Sequence, residues 1–224
     1  MGAKVTIEQV AQADLFKNMS LDEVKELLSK TNMLVKHFHK NAYVFLAGDV
    51  VENLCVVVNG TVQIVKEDAS GDRSIIGSIE ARRTFGTCYL GSKGKHSVVS
   101  YFAVKNCEIL MIPFASLNMN VIGNQNIYCK FFSNIIATVA GHNINLIEKV
   151  DVLGRKTLRG KIMAYLEKEA QLCRSRTFAL PFNRTDLANY LDADRSAMTR
   201  EIARMRDDGL IKFEKNIFTL VHNA

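Results

Sequence analysis

The spacing of apolar residues changes near residue 126, and this change most constrains how the chain can fold. Beyond it, apolar positions recur every three or four residues over roughly 25 residues, the period of a long α-helix with one apolar face. This seam comprises Tyr128, Phe132, Ile135, Val139, His142, Leu146, Val150 and Leu153. A small domain leaves little surface to cover so long a seam, which predicts a parallel pair with a second copy of the chain. The alternative is a helix packed on its own domain.

Before that point, the apolar residues form short Val- and Ile-rich stretches between positions 34 and 112. Their interruptions fall at Gly48-Asp49, Asn59-Gly60, Ser70-Gly71-Asp72 and Gly86. Such spacing is typical of consecutive antiparallel strands, and Asn59-Gly60 predicts a tight two-residue hairpin. We predict a β-roll or β-sandwich, preceded by a short amphipathic helix whose start is marked by Ser20 and Glu23 at capping-box spacing.

The composition is that of a globular protein. Of the 224 residues, 48% are hydrophobic and 23% are charged, which excludes disorder and fibrous repeats. No apolar run approaches the roughly 20 residues that span a bilayer, and the N-terminal stretch lacks the apolar block of a signal peptide, so we expect a cytoplasmic protein. The five cysteines are odd in number and widely spaced, which favours buried free thiols over disulfides. They are Cys55, Cys88, Cys107, Cys129 and Cys173.

The length suits two domains joined by the long helix. The predicted divisions are a β-roll at 1–125, a dimerisation helix and hinge at 126–154, with Gly154 as the hinge, and a C-terminal domain at 155–224. The C-terminal segment carries 14 Lys and Arg against 9 Asp and Glu, and therefore most of the chain's net charge of +6. A basic end suggests a polyanion partner such as nucleic acid, although a solvated basic face is nearly as common.

The C-terminal domain contains a two-helix pattern. After a predicted helix at 158–172 and a strand at 178–182, residues 184–191 predict a short helix. A tight break leads to a second helix at 195–208, which Gly209 can end. This is the plan of a helix-turn-helix.

The second of these helices has a core face and an exposed face. Met198, Ile202 and Met205 recur at helical spacing and are expected to face the core. The outward set is Arg195, Ser196, Thr199, Arg200 and Ala203. Small and basic residues suit a recognition helix, because Arg pairs with guanine in the major groove and hydroxyls contact bases or phosphates. The competing interpretation is an ordinary helical hairpin with solvated arginines.

A hairpin wing is predicted after the second helix. Residues 210–214 and 217–221 are strand-like and join across Lys215-Asn216. The side chains of Lys212 and Lys215 suit contact with DNA phosphates.

The run LPFNRTDLANYLDADRSAMTREIARMRDDGLIKF resembles the C-terminal winged helix of the Crp/Fnr family of bacterial transcription regulators. Upstream, LFKNMSLDEVKELL, Gly48-Asp49, VVVNGTVQIV and Arg83-Thr84-Phe85-Gly86 resemble that family's cyclic-nucleotide-binding-type β-roll. The resemblance covers nearly the whole chain. It implies an α+β fold: an N-terminal antiparallel, jelly-roll-like β-roll, a long dimerisation helix and a C-terminal winged helix-turn-helix.

The resemblance also implies a function and its residues. The expected protein is a homodimeric, sequence-specific regulator without catalytic activity, acting on double-stranded DNA at a palindromic operator, with RNA polymerase a candidate partner. By position, the base-reading residues are Arg195, Ser196, Thr199 and Arg200. The residues that fall where the family touches the DNA backbone are Asn183, Arg184 and Thr185.

The sensor pocket departs from the family pattern. Members similar to the cyclic-AMP receptor protein carry a Glu after Phe-Gly that binds the ribose, and an Arg-Ser further on that grips the cyclic phosphate. Here the stretches read Phe85-Gly86-Thr87-Cys88 and Lys95-His96-Ser97, so phosphate would depend on His96, Lys93 or Lys95 as point charges. We therefore expect an effector other than cyclic AMP. The candidate effector residues are Gly86, Thr87, Cys88, His96 and Ser97, with either His142-Asn143 or Leu146-Ile147 from the long helix.

The cysteines and histidines of the chain bear on other kinds of sensor and metal chemistry. No cysteine precedes Cys55, which excludes the N-terminal cluster of an iron–sulfur sensor. His37 and His39 are spaced like the metal pair of a cupin, so a cupin-like metalloenzyme with an appended helical domain is the rival function, but the expected acidic ligand is missing. Haem and redox sensing at Cys88 stay open, although a structural thiol is favoured. The haem ligands would be His37, His96 or His142 with Cys88 or Cys55.

Overall fold

A computed structural model describes residues 5–67, 73–91 and 96–221 of the chain. The chain forms two compact units, Met1–Asn143 and Ile144–Ala224, whose boundary lies inside the longest helix. The three-part division expected from the sequence stays a prediction. Within the described ranges, no helix is long and apolar enough to cross a membrane.

Two four-stranded antiparallel sheets form the centre of the first unit. Their strands are β1 (Leu34–Phe38), β2 (Tyr43–Phe45), β3 (Asn53–Asn59), β4 (Thr61–Glu67), β5 (Arg73–Glu80), β6 (Thr84–Phe85), β7 (Ser100–Ala103) and β8 (Cys107–Pro113). One sheet has the order β1-β8-β3-β6 and the other β2-β7-β4-β5. Buried apolar side chains from both sheets form one core with helices α1 (Ile7–Ala11) and α2 (Leu21–Lys30). The predicted antiparallel β-roll is confirmed.

The predicted hairpin at Asn59-Gly60 is wrong in its pairing. β3 and β4 lie in different sheets, since β3 pairs with β6 and β8 while β4 pairs with β5 and β7. Gly60 has φ +95°, and a Cβ there would lie 2.5 Å from the carbonyl oxygen of Asn106. This left-handed turn passes the chain from one sheet to the other. The turn predicted at 70–72 lies outside the described residues.

The predicted capping box begins α2. The Ser20 hydroxyl accepts from the Glu23 amide at 3.2 Å, and the Glu23 carboxylate accepts from the Ser20 amide at 2.8 Å. The same carboxylate receives the Lys130 ammonium of helix α4 (Gln125–Leu153) at 2.7 Å. Hydrogen bonds from Lys130 and Ser20 lower the pKa of Glu23. One carboxylate thus caps α2 and anchors the start of α4, which follows the short α3 (Met119–Ile122).

Helix α4 is the predicted long helix, at 29 residues, and one of its faces packs on its own β-roll. Ile127, Phe131 and Ile135 belong to the core of the first unit, and Ile135 is only 4% exposed. The sequence prediction that placed Ile135 on the seam available to a second copy of the chain is therefore wrong. Its neighbour Ile136 is 68% exposed, and Val139 is 43% exposed.

The second unit contains the winged helix. Its elements are α5 (Leu158–Cys173), β9 (Thr177–Ala179), α6 (Arg184–Tyr190), α7 (Arg195–Asp207), β10 (Ile211–Glu214) and β11 (Ile217–Leu220). The strands form one sheet in the order β10-β11-β9. Met198, Ile202 and Met205 of α7 are buried, as their spacing predicts. Gly209, with φ +75°, follows the end of α7, as expected for a C′ glycine.

Within the second unit, the last turns of α4 are attached to α5 and α6. Lys168 Nζ lies 3.1 Å from Glu148 Oε2, and Lys149 Nζ lies 4.2 Å from the centre of the Tyr190 ring. Burial, together with the nearby Lys168 charge, lowers the pKa of Lys149 to about 8. These contacts join residues on both sides of Gly154, the predicted hinge, so bending there has to break them.

Candidate DNA interface and sensor site

The first turns of α7 present two arginines, Arg195 and Arg200, to solvent. Asp194 caps the helix by accepting from the Ala197 amide at 2.7 Å. Arg195 and Arg200 are exposed and make no ion pair within the described part of the chain. Ser196 and Thr199 are also exposed, and they lie between these two arginines in the sequence.

The later arginines of α7 have acidic neighbours. Arg204 lies 3.5 Å from Glu201, and Arg206 lies 2.8 Å from Asp207. The positive charge without a partner is therefore concentrated at the N-terminal end of the helix, where a recognition helix contacts base edges.

Arg159 of α5 fixes the position of α7. Its guanidinium lies 2.6 Å from Glu201 and 2.6 Å from Asp208. Hydrogen bonds to these two carboxylates raise the pKa of Arg159. The two contacts attach α7 to α5 at its middle and at its C-terminal end. They leave the N-terminal turns of α7 free of contact with Arg159.

Two of the three predicted backbone-contacting residues are exposed at the start of α6. The Asn183 side chain caps the helix, because its oxygen accepts from the Thr185 and Asp186 amides at 2.9 Å each. Asn183 and Thr185 are exposed. Helix N-termini favour anions, which suits a DNA phosphate at this end.

Arg184, the third of these residues, is turned toward the wing. Its guanidinium lies 4.7 Å from the centre of the Phe218 ring and 5.1 Å from that of Phe213, and it donates to the Lys215 carbonyl at 3.2 Å. Burial lowers the pKa of Arg184. Sequence reasoning missed this cluster, although the two Phe residues on the predicted wing were its signal. Lys212 and Lys215 are exposed on the wing.

In the first unit, the structure brings two of the predicted sensor residues together. Thr87 is buried, and its hydroxyl lies 3.4 Å from Nδ1 of His142. Burial lowers the pKa of His142, against an opposing effect of Asp14. Because the imidazole is half-buried, its neutral form is favoured, and it links α4 to the segment after β6.

Ser97 takes part in a different cluster, which the sequence did not predict. The Tyr89 hydroxyl lies 3.0 Å from the Ser97 oxygen, and the Ser97 hydroxyl donates to the Val99 carbonyl at 2.6 Å.

Tyr89 and Tyr101 hydrogen-bond to the Cys88 thiol, but burial still raises the pKa of that thiol. A protonated thiol is a poor redox sensor even though Cys88 is exposed as a residue.

The remaining sensor candidates that the structure describes are chain neighbours of residues in these clusters. His96 is exposed, and its Nδ1 lies 2.9 Å from the Gly48 carbonyl. Gly86 has φ +83°, and a Cβ there would lie 2.9 Å from the Asn53 carbonyl, which explains the glycine. Asn143 is exposed on α4. Lys93 and Lys95 lie outside the described residues.

The geometry gives little support to a metal site. His37 Nδ1 lies 3.5 Å from Glu108 across the β1–β8 pair. Among the described residues, no group of three or more His, Cys, Asp or Glu side chains could hold a metal ion.

The expectation of buried free thiols is correct for Cys55 and Cys107 and wrong for the exposed cysteines. These are Cys88, Cys129 and Cys173.

Comparison with known proteins identifies both units. The model of the cyclic nucleotide-binding domain matches residues 35–119, and the model of the Crp-like helix-turn-helix domain matches residues 160–222. The chain belongs to the Crp/Fnr family of transcription regulators. The predicted α+β architecture of this Crp/Fnr regulator is confirmed.

Similar Crp/Fnr proteins include the nitrogen fixation regulation protein FixK of Azorhizobium caulinodans, 25% identical over 182 residues that cover 78% of this chain and 69% of that protein. The fumarate and nitrate reduction regulatory protein of Escherichia coli K12 is 21% identical over 223 residues, covering 97% and 85%. Among solved structures, the c-di-GMP responsive regulator CLP of Xanthomonas campestris has a TM-score of 0.73 at 16% identity, covering 91% of this chain and 100% of that one. At this identity, the structural likeness shows the fold alone.

Proposed function

We propose that this Crp/Fnr regulator is a homodimer that recognises a palindromic operator under the control of a small-molecule effector. The observation that carries the DNA-binding part is the contrast along α7. Among the described residues, Arg195 and Arg200 are exposed and have no ion-pair partner, whereas Arg204 and Arg206 have acidic neighbours. Unpaired guanidinium groups at the N-terminal turns are available for guanine edges and phosphates.

The residues of α7 divide into roles by position. Arg200 pairs with the O6 and N7 atoms of a guanine, and Ser196 and Thr199 contact bases or phosphates. Arg195, in the first turn, contacts a base or the adjacent backbone. In the dimer, two such helices lie about one DNA turn, roughly 34 Å, apart, which is why a palindromic site is expected.

The backbone contacts come from the start of α6 and from the wing. Asn183 and Thr185 face a phosphate, and Lys212 and Lys215 contact the neighbouring backbone. Arg184 acts as a positioning residue, because its stacking on the wing and its bond to the Lys215 carbonyl fix the turn that presents Lys215.

The homodimer forms through the uncovered face of α4. Ile136 and Val139 are exposed there, although apolar side chains of this size favour burial. Within the second unit, Leu146 and Val150 of the same helix are also exposed. A second copy of the helix buries these side chains in a parallel pair.

The effector is a small molecule other than cyclic AMP. His96 stands where relatives of the cyclic-AMP receptor type carry the phosphate-binding Arg, and an imidazole lacks the bidentate fork of a guanidinium. Thr87 stands in place of the Glu that binds ribose. The candidate effector residues are Gly86, Thr87, Cys88, His96, Ser97, His142 and Asn143, and haem stays a candidate ligand.

The protein catalyses no reaction, and RNA polymerase is a candidate partner at the promoter.

Selection from a pool of random duplexes tests the DNA-binding part. The purified protein should enrich a palindrome whose half-sites are one turn apart, and the Arg195→Ala/Arg200→Ala variant should lose this enrichment. The variant Arg204→Ala/Arg206→Ala is the matched control, because it removes the same charge from the same helix and should retain most of the selectivity. If both variants lose enrichment of the palindrome equally, α7 contributes only its positive charge to DNA binding and does not read the base sequence.

The rival metalloenzyme is tested on the same sample. Metal analysis and mass spectrometry of retained small molecules accompany the selection. Stoichiometric metal without any enriched duplex would favour the cupin-like enzyme. A retained organic ligand that changes DNA affinity would identify the effector.

A further inference from the structure

The uncovered face of α4 has the spacing of a coiled-coil seam. Cys129, Phe132, Ile136, Val139 and Asn143 follow one another at alternating steps of three and four residues. Four of them are exposed, and Phe132 is half-buried and packs partly against the core of the β-roll. The adjacent face, through Ile127, Phe131 and Ile135, is buried in that core. Alternating steps of three and four give a mean period of 3.5 residues, which is the period of helices that supercoil around a partner.

Asn143 is the polar member of this seam. If Cys129 and Ile136 are assigned to the a positions of successive heptads, Asn143 is the next a position, and Phe132 and Val139 are d positions. A single Asn at an a position costs stability but fixes register and helix number, because its amide needs a partner inside an apolar interface. We propose that Asn143 fixes the register and the parallel orientation of the two α4 helices, an inference that rests on the proposed homodimer.

Asn143 favours the in-register, parallel pair through hydrogen bonding across the dimer axis. In the parallel, in-register pair, the Asn143 side chain donates to the carbonyl oxygen of the partner's Asn143. A slip by one heptad, about 10 Å along the helix, places Asn143 opposite an apolar side chain such as Ile136. Both amides are then buried without partners, which disfavours the slipped pair. An antiparallel pair separates the two amides in the same way.

Cys129 supplies a built-in reporter of register. It lies two heptads before Asn143 on the same seam and is an exposed free thiol. In the in-register dimer the two Cys129 thiols face each other at an a layer, close enough for a disulfide. A slip of about 10 Å exceeds the Cα separation of at most about 7 Å that a disulfide tolerates.

The experiment compares Asn143→Val with Asn145→Val in the full-length protein. Asn145 is exposed on the same helix but off the seam, so it is a matched control for the same chemical change. Each protein is oxidised under mild conditions, and the Cys129–Cys129 disulfide is quantified by peptide mass spectrometry. The dimer dissociation constant is measured by sedimentation.

The wild-type protein and Asn145→Val should form the disulfide to similar, high yields. In Asn143→Val, we expect the dissociation constant to fall by about tenfold, because an apolar residue replaces a buried amide, while the disulfide yield falls by at least about half as slipped pairs form. A yield equal to that of the control overturns the proposal, whether or not the dimer tightens.

Failure of the proposed homodimer has a different signature. A wild-type protein that is monomeric at micromolar concentration, with no change in sedimentation for Ile136→Glu, contradicts the dimer itself. A stable wild-type dimer with a high disulfide yield that Asn143→Val leaves unchanged contradicts only the role of Asn143.

Discussion

Two neighbouring isoleucines of α4 should respond to the same substitution in opposite ways. Ile135 is 4% exposed and belongs to the core of the first unit, whereas Ile136 is 68% exposed on the seam. We expect Ile135→Glu to destabilise the first unit strongly and Ile136→Glu to leave its stability unchanged but make the protein monomeric.

The expected magnitudes follow from burial. Ile135→Glu forfeits about 2 kcal/mol of side-chain burial and leaves a carboxylate without a partner in an apolar core, for a total cost of about 5 kcal/mol. Folded domains are stable by only about 5–15 kcal/mol, so the melting temperature should fall by about 10 °C or more. In Ile136→Glu, each protomer loses about 2 kcal/mol in the dimer alone, which raises the dissociation constant by about a thousandfold.

Thermal unfolding by circular dichroism and size-exclusion chromatography with light scattering measure the two effects separately. Both variants are made singly, and Ile136→Ala serves as a mild control on the seam. If Ile135→Glu melts with the wild type, or if Ile136→Glu remains a dimer at micromolar concentration, the assignment of the two faces of α4 is refuted.

Three further predictions concern the DNA and effector sites. Arg200→Ala should cost about 1–3 kcal/mol per half-site on the cognate operator, whereas Lys212→Ala should weaken cognate and random DNA alike and reduce the salt slope by about one; anisotropy titrations at two salt concentrations distinguish these results. Arg184→Lys should destabilise the second unit by about 1 kcal/mol in thermal unfolding and weaken all DNA binding, because an ammonium cannot stack on two rings as a guanidinium does; unchanged unfolding and affinity would remove its positioning role. Cyclic AMP should show no tight binding in calorimetry, and a micromolar or lower dissociation constant would contradict the effector assignment.

The seam shows why a helix can be predicted while its faces are not. The apolar spacing after residue 126 correctly predicted α4, because a period near 3.6 appears in any amphipathic helix. Two apolar stripes lie side by side on this helix, one through Ile135 and one through Ile136. Because these residues are consecutive, the stripes are about 100° apart around the helix axis. Periodicity alone cannot tell which stripe is buried in the β-roll and which stays exposed, because each is apolar.

The turn at Asn59-Gly60 shows a similar limit for strands. Local chemistry accounts for the left-handed backbone of Gly60, where φ is +95°, but Asn59 lacks the positive φ that a type I′ turn also needs. Whether the flanking strands then pair depends on tertiary contacts, here the close approach of Asn106. The capping box at Ser20 and Glu23 was predictable in full, because both of its hydrogen bonds lie within four residues.

The attachment of the end of α4 to the winged helix sets where this regulator can be recombined with another sensor. Glu148 and Lys149 precede Gly154 in the chain, but they contact Lys168 and Tyr190 of the DNA-binding unit. A chimaera joined at Gly154 would exchange those two residues for foreign ones and lose both contacts. A junction before residue 144 carries the contacts along, so the graft should preserve the fold of the DNA-binding unit only when it includes the last turns of the helix.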